Sequence, residues 1–194
     1  MNDNRKIISR VDLWIEKAVI GLDLCPFANS VYQKDKLRCV VSESENANAL
    51  MLELYQQCQY LIETPEIETT LLIIPHQLQD FADFNQILDQ VDALIEAYEW
   101  VGVFQIASFH PMYQFKNTRT DDRENWSNRA PFPILHILRE FSVERCLSRH
   151  PNPDQIPETN IQTLRAMDTV LLKRIFNPDY SQKYYKFRTK FYRN

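Results

Sequence analysis

Only two glycines, Gly21 and Gly102, serve the whole 194-residue chain, and that scarcity constrains the fold more than any other feature. A phosphate cradle made of glycines needs several at fixed offsets, because only a residue without Cβ lets the backbone approach a phosphate so closely. A Walker A loop and a dinucleotide-binding fingerprint are excluded by count. Hydrophobic residues make up 44% and charged residues 25%, ordinary globular proportions in a chain long enough to bury a core. The expected organisation is one α/β domain over residues 1–176, followed by a basic and aromatic tail over residues 177–194.

Apolar spacing sets out the elements. Val11, Trp14, Ile15, Ala18 and Leu22 recur at helical intervals, predicting a helix from about Ser9, its N-cap, to Asp23, ended by Cys25-Pro26. Leu37 to Val41 reads as a short strand. A second apolar stripe, Ala47 to Ile62, starts at Asn46 and closes at Thr64-Pro65. Thr69 to Ile74 is a continuous β-branched and apolar run, as in a strand covered on both faces. Phe81 to Tyr98 carries the third helical stripe, and Trp100 to Phe109 reads as a strand. After a polar stretch, Pro131 and Pro133 suit the first turn of a helix reaching about Arg149, and a last helix spans about Glu158 to Phe176. This order predicts an α/β (or α+β) fold: a small three-stranded, mainly parallel sheet covered by about five helices.

Site chemistry is densest between Ser108 and Glu140. His110 ends the third strand, where open α/β sheets place their ligands, and the long connection after it also favours function. Within a helix, His136, Arg139 and Glu140 would share a face. Arg129, just before that helix start, and Arg139 would then grip a carboxylate or phosphate in the bidentate way lysine cannot. The candidate catalytic residues are His110, His136 and Asp122. Candidate binding residues are Arg129, Arg139, Asn125, Asn128, Ser108 and Tyr113. The bland alternatives are a capping or carbonyl-bonded His110, a structural His136, ordinary salt bridges for Arg139 and Glu140, a solvated turn for Asp121-Asp122, and turn-capping by Asn125 and Asn128. The histidines lack HExxH or HxH spacing, so no metal ligands are assigned and the cofactor stays unknown. Ser108 has no GxSxG turn.

Two function classes follow. One is an enzyme acting on a small anionic metabolite by histidine acid–base chemistry. The other is a non-catalytic ligand-binding or interaction domain. Cys25, Cys39, Cys58 and Cys146 form no CxxC pair and read as buried thiols of a reducing, cytoplasmic setting. Cys25 would lie near a helix C-terminus, which does not activate a thiol. No apolar run is long enough for a membrane span. The net charge is −4, yet the tail alone is +4, with five cations against Asp179. Interleaved with Tyr184, Tyr185, Phe187, Phe191 and Tyr192, these cations suit docking on the chain's own domain, or stacking on single-stranded nucleic acid or an anionic membrane.

Several segments carry a family resemblance: Leu24-Cys25-Pro26-Phe27-Ala28, Thr69-Thr70-Leu71-Leu72, Phe81 to Leu88, Phe104 to Pro111, Asn125 to Pro133, and Leu135 to Glu140. In this order, over about residues 9 to 175, the chain resembles the bacterial and plastid domain-of-unknown-function family 1415. The resemblance implies membership and no reaction. Where the family usually has Asn-Arg-Ser-Pro, this chain has Asn128-Arg129-Ala130-Pro131, so no serine nucleophile stands at position 130. The tail is not part of the resemblance.

Overall fold

The computed structural model describes residues 3–176; the tail lies outside the described residues. Helix α1 (Asp3–Trp14) starts earlier than its apolar spacing suggests, so Ser9 sits inside it rather than capping it, and it runs into a π-helical stretch, Ile15–Ile20. Gly21 follows that stretch because a Cβ there would come within 2.5 Å of the Lys17 carbonyl oxygen. Pro26 does not merely end a helix. It opens α2 (Pro26–Gln33) from the first turn, where its missing N–H costs nothing.

Strand β1 (Leu37–Val41) is followed by α3 (Ala47–Glu63), whose N-cap Asn46 accepts from the Ala49 amide. Strand β2 (Thr69–Ile73) is buried at every position. Asp80 caps α4 (Phe81–Ala97) by accepting from the Ala82 and Asp83 amides. Gly102, at φ +81°, makes the turn into β3 (Phe104–Phe109).

The predicted helix over residues 131–149 is corrected by the structure. Strand β4 (Ile134–Arg139) comes first, and the short helix α5 (Glu140–Leu147) begins only after it. Prolines 131 and 133 precede a strand, a position proline also tolerates. The last predicted helix is two, α6 (Ile156–Ala166) and α7 (Thr169–Phe176), with Asp168 accepting from the Val170 and Leu171 amides at the break.

The expected three-stranded, mainly parallel sheet is likewise corrected. The sheet has four strands in the order β1-β2-β4-β3. Only β1 and β2 pair in parallel; β4 lies between β2 and β3 and runs antiparallel to both. Because β4 is central and covered on both faces, its apolar residues are nearly continuous, and periodicity alone cannot tell such a run from a buried helix.

Each face of the sheet has its own core. Val11, Trp14, Ala18, Leu164 and Leu172 pack with Leu71, Ile73 and Ile134 on one side. On the other, Leu50, Leu54, Phe84 and Val91 pack with Leu72, Leu135 and Ile137. A smaller cluster joins Phe27, Val31 and Leu138 beneath α2 and α5. No helix among the described residues is long and apolar enough to cross a membrane.

Candidate functional site

Side chains alternate across a strand, so the strand assignment redistributes the candidate residues. On β4, Leu135, Ile137 and Arg139 face the α3–α4 side, while Ile134, His136 and Leu138 face the other. His110 continues β3 and packs against α4: its ring lies 5.3 Å from Phe81 and 5.1 Å from Phe84. The two imidazoles therefore sit on opposite faces of the sheet.

Both histidines are engaged. His110 is fully buried. Its Nδ1 accepts the Met112 amide at 3.0 Å, so Nε2 carries the proton and donates to the Leu78 carbonyl at 3.1 Å. Leu78 is held at φ 56° to turn that carbonyl inward, a backbone conformation a bulky residue rarely adopts. Burial holds His110 below its ordinary pKa, against the opposing bond to Leu78. Across the sheet, the Thr69 hydroxyl donates to the Ile137 carbonyl at 2.6 Å and lies 2.7 Å from His136 Nε2. With its one proton committed, that hydroxyl accepts from Nε2–H. Desolvation lowers His136 to about 4, so it is neutral at physiological pH.

Arg139 closes a helix instead of lining a pocket. Its guanidinium donates to the carbonyls of Leu61, Thr64 and Ile67 at and just beyond the end of α3, where positive charge meets the negative end of the helix dipole.

The remaining candidates organise the segment between His110 and Pro131, which contains a 3-10 helix, Arg123–Asn128. Asn125 is fully buried. Its Oδ1 accepts from the Phe115 amide and the Thr118 hydroxyl, and its Nδ2 donates to the Arg119 carbonyl at 2.7 Å. Asn128 donates through Nδ2 to the Ser108 carbonyl, and its own carbonyl accepts the His110 amide. Asp122 accepts the Arg119 amide at 2.7 Å.

Arg129 stands apart. It is only 8% exposed. Nε donates to the Tyr113 carbonyl at 3.3 Å and Nη2 to the Thr120 carbonyl at 2.7 Å, while its carbon lies 4.7 Å from the Trp126 ring centroid. No carboxylate among the described residues pairs with it. Burial draws its pKa below the ordinary value, yet a guanidinium stays charged at neutral pH.

Arg129 lines a cleft of about 600 Å³ between the 121–129 stretch and helices α6 and α7, together with Asp121, Asp122, Arg123, Glu124, Trp126, Arg165, Thr169 and Lys173. Two of the three carboxylates are neutralised by ion pairs. Arg165 grips both oxygens of Glu124, at 2.8 and 3.3 Å, and Arg119 pairs with Asp121 at 3.3 Å. Of the candidate residues, the cleft gathers Arg129 and Asp122; neither imidazole nor Arg139 lines it. Among the described residues no group of three His, Cys, Asp or Glu side chains could hold a metal ion.

The family model described as "Protein of unknown function (DUF1415)" matches residues 6–174. The chain belongs to this family. No curated protein and no solved structure matches it. The matched span of this DUF1415 chain takes in the sheet, both cores except Ile175 and Phe176, and every residue of the cleft. Sequence reasoning missed the far wall of that cleft: Arg165, Thr169 and Lys173 come from the last two helices, some forty residues beyond Arg129. As single charges on amphipathic helices they carry no motif. The only available signal was Trp126 three residues before Arg129, an aromatic face within reach of a guanidinium.

Proposed function

We propose that the chain binds a small phosphate- or carboxylate-bearing molecule in the cleft between residues 121–129 and helices α6 and α7. One observation carries this reading: Arg129 is a buried cation with no carboxylate partner among the described residues, held open to the cleft by two backbone carbonyls and a tryptophan face. An unneutralised buried charge is costly, and an anionic ligand removes that cost. Lys173, exposed at the cleft wall, adds a second positive charge and forms no ion pair among the described residues. The binding reading is favoured over catalysis by histidine because both imidazoles lie elsewhere with their ring nitrogens or faces occupied. An enzyme working in this cleft would take its acid–base group from Asp122. A cytoplasmic setting fits the same reading: the four cysteines are free thiols, and burial raises Cys25, Cys39 and Cys58 away from reactivity.

The test is a thermal-shift and calorimetric titration with inorganic phosphate, phosphorylated metabolites and di- and tricarboxylates. A ligand at a hundred times its Kd stabilises the fold by about 2.7 kcal/mol. Lys173→Gln is expected to weaken binding while leaving the melting temperature of the free protein unchanged, and Arg129→Lys to weaken it further by removing the fork. If no anion in the set shifts the melting temperature at millimolar concentration, the reading fails.

A further inference from the structure

The outer edge of β3 is open along its middle. Glu140 donates its amide to the Val103 carbonyl, so in this antiparallel register the odd-numbered residues of β3 bond β4 and the even-numbered ones turn their backbone outward. Toward the two ends the outward groups are taken within the domain. The Phe104 amide donates to the Trp100 carbonyl, the Ser108 carbonyl accepts from Asn128 Nδ2, and the His110 amide donates to the Asn128 carbonyl. Four groups have no partner among the described residues: the Phe104 carbonyl, the amide and carbonyl of Ile106, and the Ser108 amide.

Those four form a self-complementary set. Consider a second β3 lying antiparallel to the first on a two-fold axis at Ile106. Ile106 then exchanges two bonds with Ile106 of the copy, and each Ser108 amide donates to the Phe104 carbonyl opposite it. The open groups of both strands are all used, in four bonds. The same register also brings the Phe104 amide against the Ser108 carbonyl. Both are already satisfied within each protomer, so neither is stranded. A strand of another kind would bring a surplus acceptor to the Phe104 amide and a surplus donor to the Ser108 carbonyl. A second copy of this chain brings neither.

The side chains permit the same approach. Strand edges are normally blunted by charge, proline or a covering element, yet Phe104-Gln105-Ile106-Ala107-Ser108-Phe109 carries no charge and no proline. In the two-fold register Ile106 faces Ile106 and Gln105 faces Ala107, so no like charges oppose one another. Val101 and Val103, 70% and 42% exposed, lead directly into the strand and border the pairing at its two ends.

We propose that two copies of this chain join edge to edge through β3, with Ile106 on the two-fold axis, so that two four-stranded sheets become one of eight. The dimer is closed, because the pairing uses up the open β3 edge of both protomers.

The first test is light scattering on the full-length protein over a range of concentrations, with Ile106→Pro as the variant. The Ile106 amide bonds nothing among the described residues, and proline is tolerated at such an edge position. By symmetry the substitution removes both central bonds. The parent should dimerise as concentration rises, and the variant should need at least about tenfold more protein to do so. A register-specific measurement decides the matter even where that variant does not fold. The two Ile106 Cα atoms would lie about 5.5 Å apart, within the disulfide range of about 4.4–6.8 Å, and the two Ser108 Cα atoms roughly 14 Å apart. With oxidised glutathione, Ile106→Cys should cross-link into a dimer, while Ser108→Cys should stay at the background set by the native thiols of the parent. A parent that stays monomeric at millimolar concentration overturns the proposal, as does an Ile106→Pro dimer as tight as the parent's. So does cross-linking of Ile106→Cys no greater than that of Ser108→Cys. Slow exchange of the Ile106 and Ser108 amides in the dilute monomer would also overturn it, because a segment of the same chain would then cover the edge.

Discussion

On the α3–α4 face of the sheet, Leu54, Cys58, Phe84 and Ile137 are closed to solvent within a core built mainly of apolar side chains, with His110 against Phe84. The segment between β3 and β4 is built the other way. There a single buried amide, Asn125, gathers two donors and one carbonyl, and Arg129 holds two more carbonyls. Apolar packing spreads its stabilisation over many weak contacts and can relax around a loss. A polar hub concentrates it, since removing the hub leaves each partner unpaired. The candidate cleft opens beside the hub-built region, where backbone groups are held by a few directional bonds.

Two substitutions test that contrast most severely. Phe84→Ala should cost about 3–5 kcal/mol in urea unfolding, the range for emptying a fully buried aromatic site, and should raise exchange across the whole sheet. Asn125→Ala orphans the Phe115 amide and the Arg119 carbonyl, and should cost about 2–4 kcal/mol at the usual penalty per unpaired buried group. Its exchange should rise over residues 113–120 while β2 amides stay protected. Equal deprotection of β2 and the loop in both variants would show one cooperative unit, and the distinction between the two regions would be lost.

The next effect in size is pH dependence, and it reports on the sheet rather than the loop. His110 and His136 are both held below the ordinary 6.5, His136 at about 4, so the unfolded chain takes up the protons first. Stability is full above about pH 6.5 and declines as pH falls toward 4, by up to about 1.4 kcal/mol per pH unit for each group. His136→Gln keeps a donor for the Thr69 hydroxyl and removes the titration. Its urea midpoint should change less between pH 7 and pH 5 than that of the parent. An identical drop would assign the acid sensitivity elsewhere.

Where hydrophobic period and cap chemistry agreed, the elements were legible: β1, α3 with Asn46, β2 and α4 all lie where their stripes and runs put them. Legibility failed at β4. Ile134 to Leu138 is apolar on both faces because it is central, and Pro131 and Pro133 suit a helix start as well as a strand start. That one misreading put His136 beside Arg139, which a strand separates onto opposite faces. Asn125 reads as a polar residue of a long connection and Arg129 as an anion-binding residue at a helix start, but their roles depend on carbonyls up to sixteen residues away, which no local pattern encodes. The cleft's far wall on α6 and α7 depends on the same long-range closure.

The smallest stability effect is expected at that wall, and it separates holding the fold from holding a ligand. Arg165 is well exposed and pairs with Glu124 across the cleft rim; water screens such a pair, so its contribution to folding is slight. Arg165→Gln should leave the urea midpoint unchanged. The bond from Arg165 is the first cause holding Glu124 below its ordinary pKa, so the substitution both deletes a cation from the cleft and frees a carboxylate facing it. Phosphate affinity should then fall by more than in Lys173→Gln, which removes a charge without releasing one. If Arg165→Gln lowers stability and leaves anion binding untouched, the pair belongs to the architecture of the loop, and the cleft's charge would have to be set by Arg129 and Lys173 alone.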